Sequence, residues 1–178
     1  MNLKEQIHEA KHSVVNALRP AVERATATDI LDTLKKEHDE VKELLANLQN
    51  AETSGLRHGL VRQLTEALVP HSVAEEKVVY EAVIALSDPQ SQMDGYEGVL
   101  EHRWAAKTLG RLAAIDDATS PEHKATAKVL QELVEHHIKE EEHNIWRDVR
   151  KHCSNDERAR MNALYLTEKR RTKVPSAP

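Results

Sequence analysis

One cysteine, Cys153, is all that the 178 residues contain. A single thiol excludes an internal disulfide framework and any thiolate metal cluster. Five glycines, six prolines and 3% aromatics argue against a protein built from strands and tight turns. No apolar run approaches the roughly eighteen residues of a membrane helix. The N-terminal MNLKEQIHEAKHS carries acids and lacks the apolar centre of a signal peptide. The expected compartment is therefore the cytoplasm, with no membrane partner. Charge of one sign is also scarce. Lys and Arg number 25 against 30 Asp and Glu, a net −5, which gives no electrostatic reason to expect nucleic acid as a partner. What is plentiful is histidine, eleven in all. With 39% hydrophobic and 31% charged residues the chain is a folding one, and its length fits one domain with appendages.

Apolar residues recur at helical spacing through most of the sequence. Ile30, Leu34, Val41, Leu45 and Leu48 line one face of a first run, with Thr28 as its expected N-cap. Leu60, Leu64, Leu68, Val78, Ala82 and Leu86 line a second, in which Pro70 is expected to kink or break the helix. Val99, Ala106, Leu109 and Ala113 line a third. A fourth starts at Ser120-Pro121, an N-cap followed by an N1 proline, and carries Leu130, Val134, Ile145 and Val149 towards Cys153. The links AETSG, SDPQS and DDATSP are short and rich in turn residues. Short links join antiparallel neighbours. The reading is all-α: an up-down-up-down antiparallel four-helix bundle over residues 28–153. Residues 1–27 read as an N-terminal amphipathic helical extension with Leu3, Ile7, Val14, Leu18 and Val22 on one side. Residues 154–178 read as a short helix, opened by the capping-box spacing Ser154 to Glu157, and a frayed tail.

Some polar residues stand where the apolar stripes call for core. His38 lies between Leu34 and Val41, His102 between Val99 and Ala106. His71 and Glu75 lie between Leu68 and Val78, and His137 and Glu141 between Val134 and Ile145. Residues equidistant from a turn share a level in an antiparallel pair. The midpoint of His38 and His71 falls in Ser54-Gly55, that of His102 and His137 in Thr119-Ser120, and that of Glu75 and His102 at Asp88-Pro89. Three separate turns thus place four His and two Glu in one layer. The chain also repeats itself: Glu37-His38 matches Glu101-His102, and HSVAEEKVVY (71–80) matches HIKEEEHNIW (137–146). A duplicated helical hairpin would carry the same chemistry in each half.

Buried carboxylates facing each other repel or hold protons, and buried imidazoles need partners. A pair of cations removes both problems. Four imidazoles and two bridging carboxylates give each metal four protein ligands and leave open positions, which suits iron, less often manganese; zinc would use the same atoms as two His2Glu sites. The bland alternative is a metal-free His–Glu hydrogen-bond network.

The pattern resembles the haemerythrin HHE cation-binding domain over about residues 28–153. The resemblance rests on His38 in KEHDE, His71 and Glu75-Glu76 in HSVAEEKVVY, His102 in LEHRW, and His137 and Glu141-Glu142 in HIKEEEHNIW. It implies a non-haem di-iron centre bridged by the two carboxylates and an oxo or hydroxo group. His38 and His71 would serve chiefly one iron, His102 and His137 the other. Oxygen-carrying haemerythrins have a fifth His one turn after the third-helix His, where this chain has Ala106, and an Asp five residues after the fourth-helix His, where it has Glu142. The chain is thus similar to a four-His, two-Glu branch. That branch favours reaction with dioxygen, peroxide or nitric oxide, or a sensing or iron-handling role. A peroxide- or nitrogen-oxide-destroying enzyme, and an interaction module whose N-terminal helix docks a partner or a second copy while metal staples the bundle, are the competing readings.

Other residues weigh less. Glu76 and Glu142 are alternative ligands or partners for imidazole N–H groups, with a solvated face as an equal reading for Glu142. His136 with Glu140 is a weaker register than His137 with Glu141. Tyr80, Trp104 and Trp146 read as packing residues. His8 and His12 lack a third ligand. His58, His123 and His152 read as exposed, and Cys153 carries no evident role.

Overall fold

A computed structural model describes residues 28–174. The N-terminal amphipathic extension expected over residues 1–27, with His8 and His12, lies outside them, as does the end of the tail. The described residues are helical apart from short links and ends, and include no strand. None of their helices is long and apolar enough to cross a membrane.

The helices are α1 (Ile30–Asn50), α2 (Ser54–Glu75), a π-helical turn π1 (Glu76–Tyr80) running into α3 (Glu81–Ile84), α4 (Pro89–Ala113), α5 (Pro121–Glu140), a second π-helical turn π2 (Glu141–Ile145) running into α6 (Trp146–His152), and α7 (Asn155–Arg171). Their starts follow local chemistry. Thr53, Asp88 and Ser120 cap α2, α4 and α5 through their side-chain oxygens, with Pro89 and Pro121 in the first turn where no N–H is required. The cap of α1 is Asp29 rather than Thr28: its carboxylate accepts from the Leu31 N–H at 3.0 Å and from the Arg158 guanidinium at 2.6 Å. A carboxylate at this position carries the negative charge that a helix N-terminus favours, which a threonine hydroxyl lacks.

α1 packs on α2 and α5, and α4 packs on α2 and α5, so four rods close a ring; α7 lies outside it against α1 and α2. The core falls into two apolar blocks. One contains Val41, Leu45, Leu48, Leu64, Leu112, Leu130 and Val134, the other Ile30, Leu34, Val79, Val83, Ile145, Trp146 and Tyr165. The polar layer of His and Glu sits between them, so each rod is apolar on either side of its inward-facing ligand candidates.

Four further expectations change. Pro70 neither breaks nor ends its helix: α2 runs through it to Glu75, and the irregularity comes afterwards, in π1. The π turn adds a residue to the rod, and the inward face moves on by one. Val79 and Val83 are buried, whereas Val78 is only partly so and Ala82 is exposed. On α4, Ala106 is exposed, and the buried positions nearest α3 and π1 are glycines. A Cβ at Gly98 would stand 2.3–2.6 Å from the Tyr80 ring and hydroxyl. Gly98 therefore lets Tyr80 lie against α4. Finally, the C-terminal helix is not short: α7 has 17 residues, opened by a complete capping box between Ser154 and Glu157.

Candidate metal centre

All six side chains that the sequence places in one layer do meet. His38, His71, Glu75, His102, His137 and Glu141 are each buried, with Glu75 0% and Glu141 1% exposed. Glu75 Oε2 stands 3.1 Å from His71 Nε2 and 3.4 Å from His102 Nε2. Glu141 Oε2 stands 3.4 Å from both His38 Nε2 and His137 Nε2. Each carboxylate thus joins one imidazole of its own rod to one of another. Two triads have ligand atoms all within 4.8 Å of one another: His38, His71 and Glu75, and Glu75, His102 and His137. Glu75 belongs to both. Glu141 differs because its other oxygen, Oε1, already accepts from the Trp146 indole N–H at 2.9 Å.

Around this layer runs a second set of carboxylates, one for each imidazole. The Nδ1 atoms pair outward: His38 with Glu142 at 3.1 Å, His71 with Glu37 at 3.1 Å, His102 with Glu76 at 3.2 Å, and His137 with Glu101 at 2.8 Å. Each outer Glu adjoins an inner residue in sequence yet serves an imidazole on another rod. A carboxylate at Nδ1 fixes the tautomer with its proton outward, so the Nε2 lone pair points inward, and it raises the basicity of the ring. Glu76 and Glu142 therefore stand as imidazole partners. Sequence reasoning missed Glu37 and Glu101 in that role. The signal was present in the duplicated Glu-His dipeptides.

The aromatics at matching places in the repeat are buried against the layer. Trp146 stacks on His38 at 5.6 Å between centroids and 12° between planes. Tyr80 meets His102 edge-on at 5.4 Å. Tyr165 of α7 was not foreseen: its hydroxyl donates to Glu37 Oε2 at 2.5 Å and lies 3.0 Å from His71 Nδ1. Nor was the burial of His123, 0% exposed, whose Nδ1 accepts from the Arg57 Nε–H at 3.3 Å. Trp104 is not a packing residue in the described chain. It is 56% exposed, with the Lys107 ammonium 5.0 Å from its ring centre. His58 and His152 are exposed as expected.

Charge within the layer is high. Burial pushes the His71 imidazole down, but Glu75 and Glu37 outweigh it and hold the ring at about 10. His137 is likewise held up at about 9 by Glu101 and Glu141 against burial. Burial raises Glu37, yet hydrogen bonds from His71, Lys169 and Tyr165 bring it to about 2. Burial also raises Glu141, and His137 and His38 carry it well below the carboxylate range. With protons alone the arrangement is unfinished. His38 Nε2, His102 Nε2, His137 Nε2, Glu141 Oε2 and both Glu75 oxygens are buried without a hydrogen-bond partner. Once the Nε2 protons are lost, these nitrogens and the carboxylate oxygens turned towards them are a donor set for a borderline-hard cation. Beside it lies a cavity of about 150 Å³, lined by the four imidazoles and by Val41, Leu68, Val69, Val134 and Ile138 among other apolar side chains.

The family model described as Hemerythrin HHE cation binding domain matches residues 29–154. The chain belongs to this cation-binding family. It is also similar to a curated protein of Nostoc sp. (strain PCC 7120 / SAG 25.82 / UTEX 2576) described as a DNA nickase, 24% identical over 129 residues. The alignment covers 72% of this chain and 36% of that relative, so the chain spans about a third of its length. No solved structure matches the chain.

Proposed function

We propose that the layer holds two iron ions and that the chain uses them to bind or react with dioxygen or a related small oxidant, peroxide or nitric oxide, in redox, oxygen or iron sensing or handling. In this reading His38 and His71 would hold chiefly one iron and His102 and His137 the other, with Glu75 and Glu141 supplying the carboxylate ligands. The up-down-up-down order of the bundle belongs to the same reading, supported by the short links and the ring of neighbours.

One observation carries the proposal: six buried nitrogen and oxygen atoms of the layer face one another without partners. Each such atom costs about 1–3 kcal/mol when left unsatisfied. A cation satisfies the imidazole lone pairs and the carboxylates together, where protons on His71 and His137 serve the carboxylates alone. When bound, the irons would supply one-electron chemistry and Lewis acidity. The rest is done by the chain. The outer carboxylates hold each imidazole with its Nδ1 proton outward. The two apolar blocks keep bulk water from the layer. The cavity, at about 150 Å³, suits a diatomic or similarly small oxidant, since pockets for drug-sized ligands run to about 300 Å³ or more.

The test is metal analysis of freshly purified protein, with an optical spectrum before and after reduction. Two irons per chain and a charge-transfer band that bleaches on reduction support the proposal. Zinc, manganese or no metal overturns it. Peroxide turnover by the iron-loaded protein, abolished in His102→Ala, would make the chain an enzyme; stoichiometric oxidation without turnover favours sensing. DNA cleavage is not proposed, because the net charge of −5 offers little attraction for a polyanion. Nicking of supercoiled plasmid by the loaded protein would reverse that view.

A further inference from the structure

The two halves of the layer are not equivalent, and the difference comes from a helix outside the bundle. In one half, Glu101 Oε2 pairs with His137 Nδ1 and its other oxygen lies 3.5 Å from the exposed His136. In the other half, Glu37 Oε2 is the meeting point of three groups. His71 Nδ1 lies at 3.1 Å, the Tyr165 hydroxyl at 2.5 Å and the Lys169 ammonium at 2.6 Å. Tyr165 and Lys169 are one helical turn apart on α7, and Tyr165 is 0% exposed. Burial and the carboxylates around it push the Tyr165 phenol far up, so it remains a donor. α7, from Asn155 on, lies wholly beyond the 29–154 span of the family match, and its side chains meet Glu37 of one half and not Glu101 of the other.

We propose that Tyr165, with Lys169, is a positioning residue for the cation held through His71, and that the docking of α7 is thereby coupled to occupation of that position. The inference rests on the two-cation reading above. The physical route is short. Glu37 holds the His71 proton outward and so aims Nε2 at the metal. The hydroxyl and ammonium fix Glu37 in that posture. A group that strengthens cation binding is itself held more firmly when the cation is bound, by the same factor, because coupling between two equilibria is reciprocal. Occupation of the His71 position therefore tightens α7 on the bundle. A chelator that empties it loosens the helix.

The experiment titrates the full-length, metal-depleted protein with Fe(II) under anaerobic conditions, resolving two binding steps. Hydrogen exchange over 155–171 is followed with and without metal. Removing a partner at a metal-bound imidazole costs about 10–100-fold in affinity. Glu37→Gln should show that loss in one step. Tyr165→Phe, which keeps the ring and its packing, should weaken the same step by several-fold and leave the other unchanged. It should add nothing in the Glu37→Gln background, since the hydroxyl acts only through Glu37. Glu101→Gln should weaken the other step. In wild type, metal should slow exchange in α7, and Tyr165→Phe should remove that slowing. Equal effects of Tyr165→Phe on both steps, no effect on either, or additivity with Glu37→Gln would overturn the proposal. α7 exchange that ignores metal would do the same. A wild-type chain that takes up no Fe(II) overturns the metal reading itself, a result separate from any of these.

Discussion

Glu75 and Glu141 occupy matching places in the repeat, yet their surroundings set them apart. Both Glu75 oxygens are buried and unpartnered, and Glu75 alone belongs to both ligand triads. Glu141 spends one oxygen on the Trp146 indole. Glu75→Gln should therefore abolish uptake of both cations, whereas Glu141→Gln should leave one bound; metal per chain by elemental analysis checks this, and equal losses would contradict it. Gly98 is the other residue whose identity matters. The Tyr80 ring lies where a Cβ would go and is itself buried, so it would have to shift within a packed surround. Gly98→Ala should cost about 1–3 kcal/mol by overpacking, read as a lower midpoint in denaturant. A wild-type midpoint would show that Tyr80 yields to the added methyl without cost.

The π turns are the feature that positions the layer at the level of elements. π1 follows Glu75 directly and π2 begins at Glu141. A π turn takes one residue more than an α turn, so residues four and five beyond Glu75, Val79 and Tyr80, share its inward face; Ile145 and Trp146 do so beyond Glu141. π-bulges occur as single turns within α-helices, frequently at functional sites. Deleting Lys77, which is exposed, should let π1 close as an α-helix with Val79 and Tyr80 still inward. The variant should fold and bind metal. Deleting Lys42 from α1, which has no π turn, would rotate Leu45 and Leu48 away from the core by about 100° and should abolish folding. Circular dichroism melts and metal content distinguish the two, and a ΔLys77 protein that fails as ΔLys42 does would sink the argument.

For the molecule as a whole, protons and metal compete for one layer. His71 is raised from 6.5 to about 10, so its contribution to the stability of chelator-treated protein is complete below pH 6.5 and lost as pH rises through about 10. His137 follows the same sign up to about 9. Glu37, lowered from 4.5 to about 2, contributes above pH 4.5 and loses that contribution as pH falls towards 2. Metal needs the imidazoles without their Nε2 protons, so its affinity rises over the interval in which the chelated protein weakens. Between pH 6.5 and 10, the Tm of chelated protein should fall and the increase in Tm on metal loading should grow. A loading shift that is flat or shrinks over this range would show that the imidazoles do not lose protons to metal.

Much of this was legible in the residue order. Helical periodicity, turn chemistry at AETSG, SDPQS and DDATSP, and the duplicated His-x3-Glu-Glu determined the all-helical class and the six side chains that meet, because inward residues on rods joined by short turns can share only certain levels. Periodicity could not foresee what depends on approach between elements distant in sequence. The pairing of each imidazole with a Glu from another rod was settled only in three dimensions, as were the burial of His123 beside Arg57 and the insertion of Tyr165. The shift of phase from Val78 and Ala82 to Val79 and Val83 escaped because an α-helical count assumes 3.6 residues per turn throughout. Sequence spacing names the face a residue occupies; only packing decides which partner, at hydrogen-bond distance, waits on the other side.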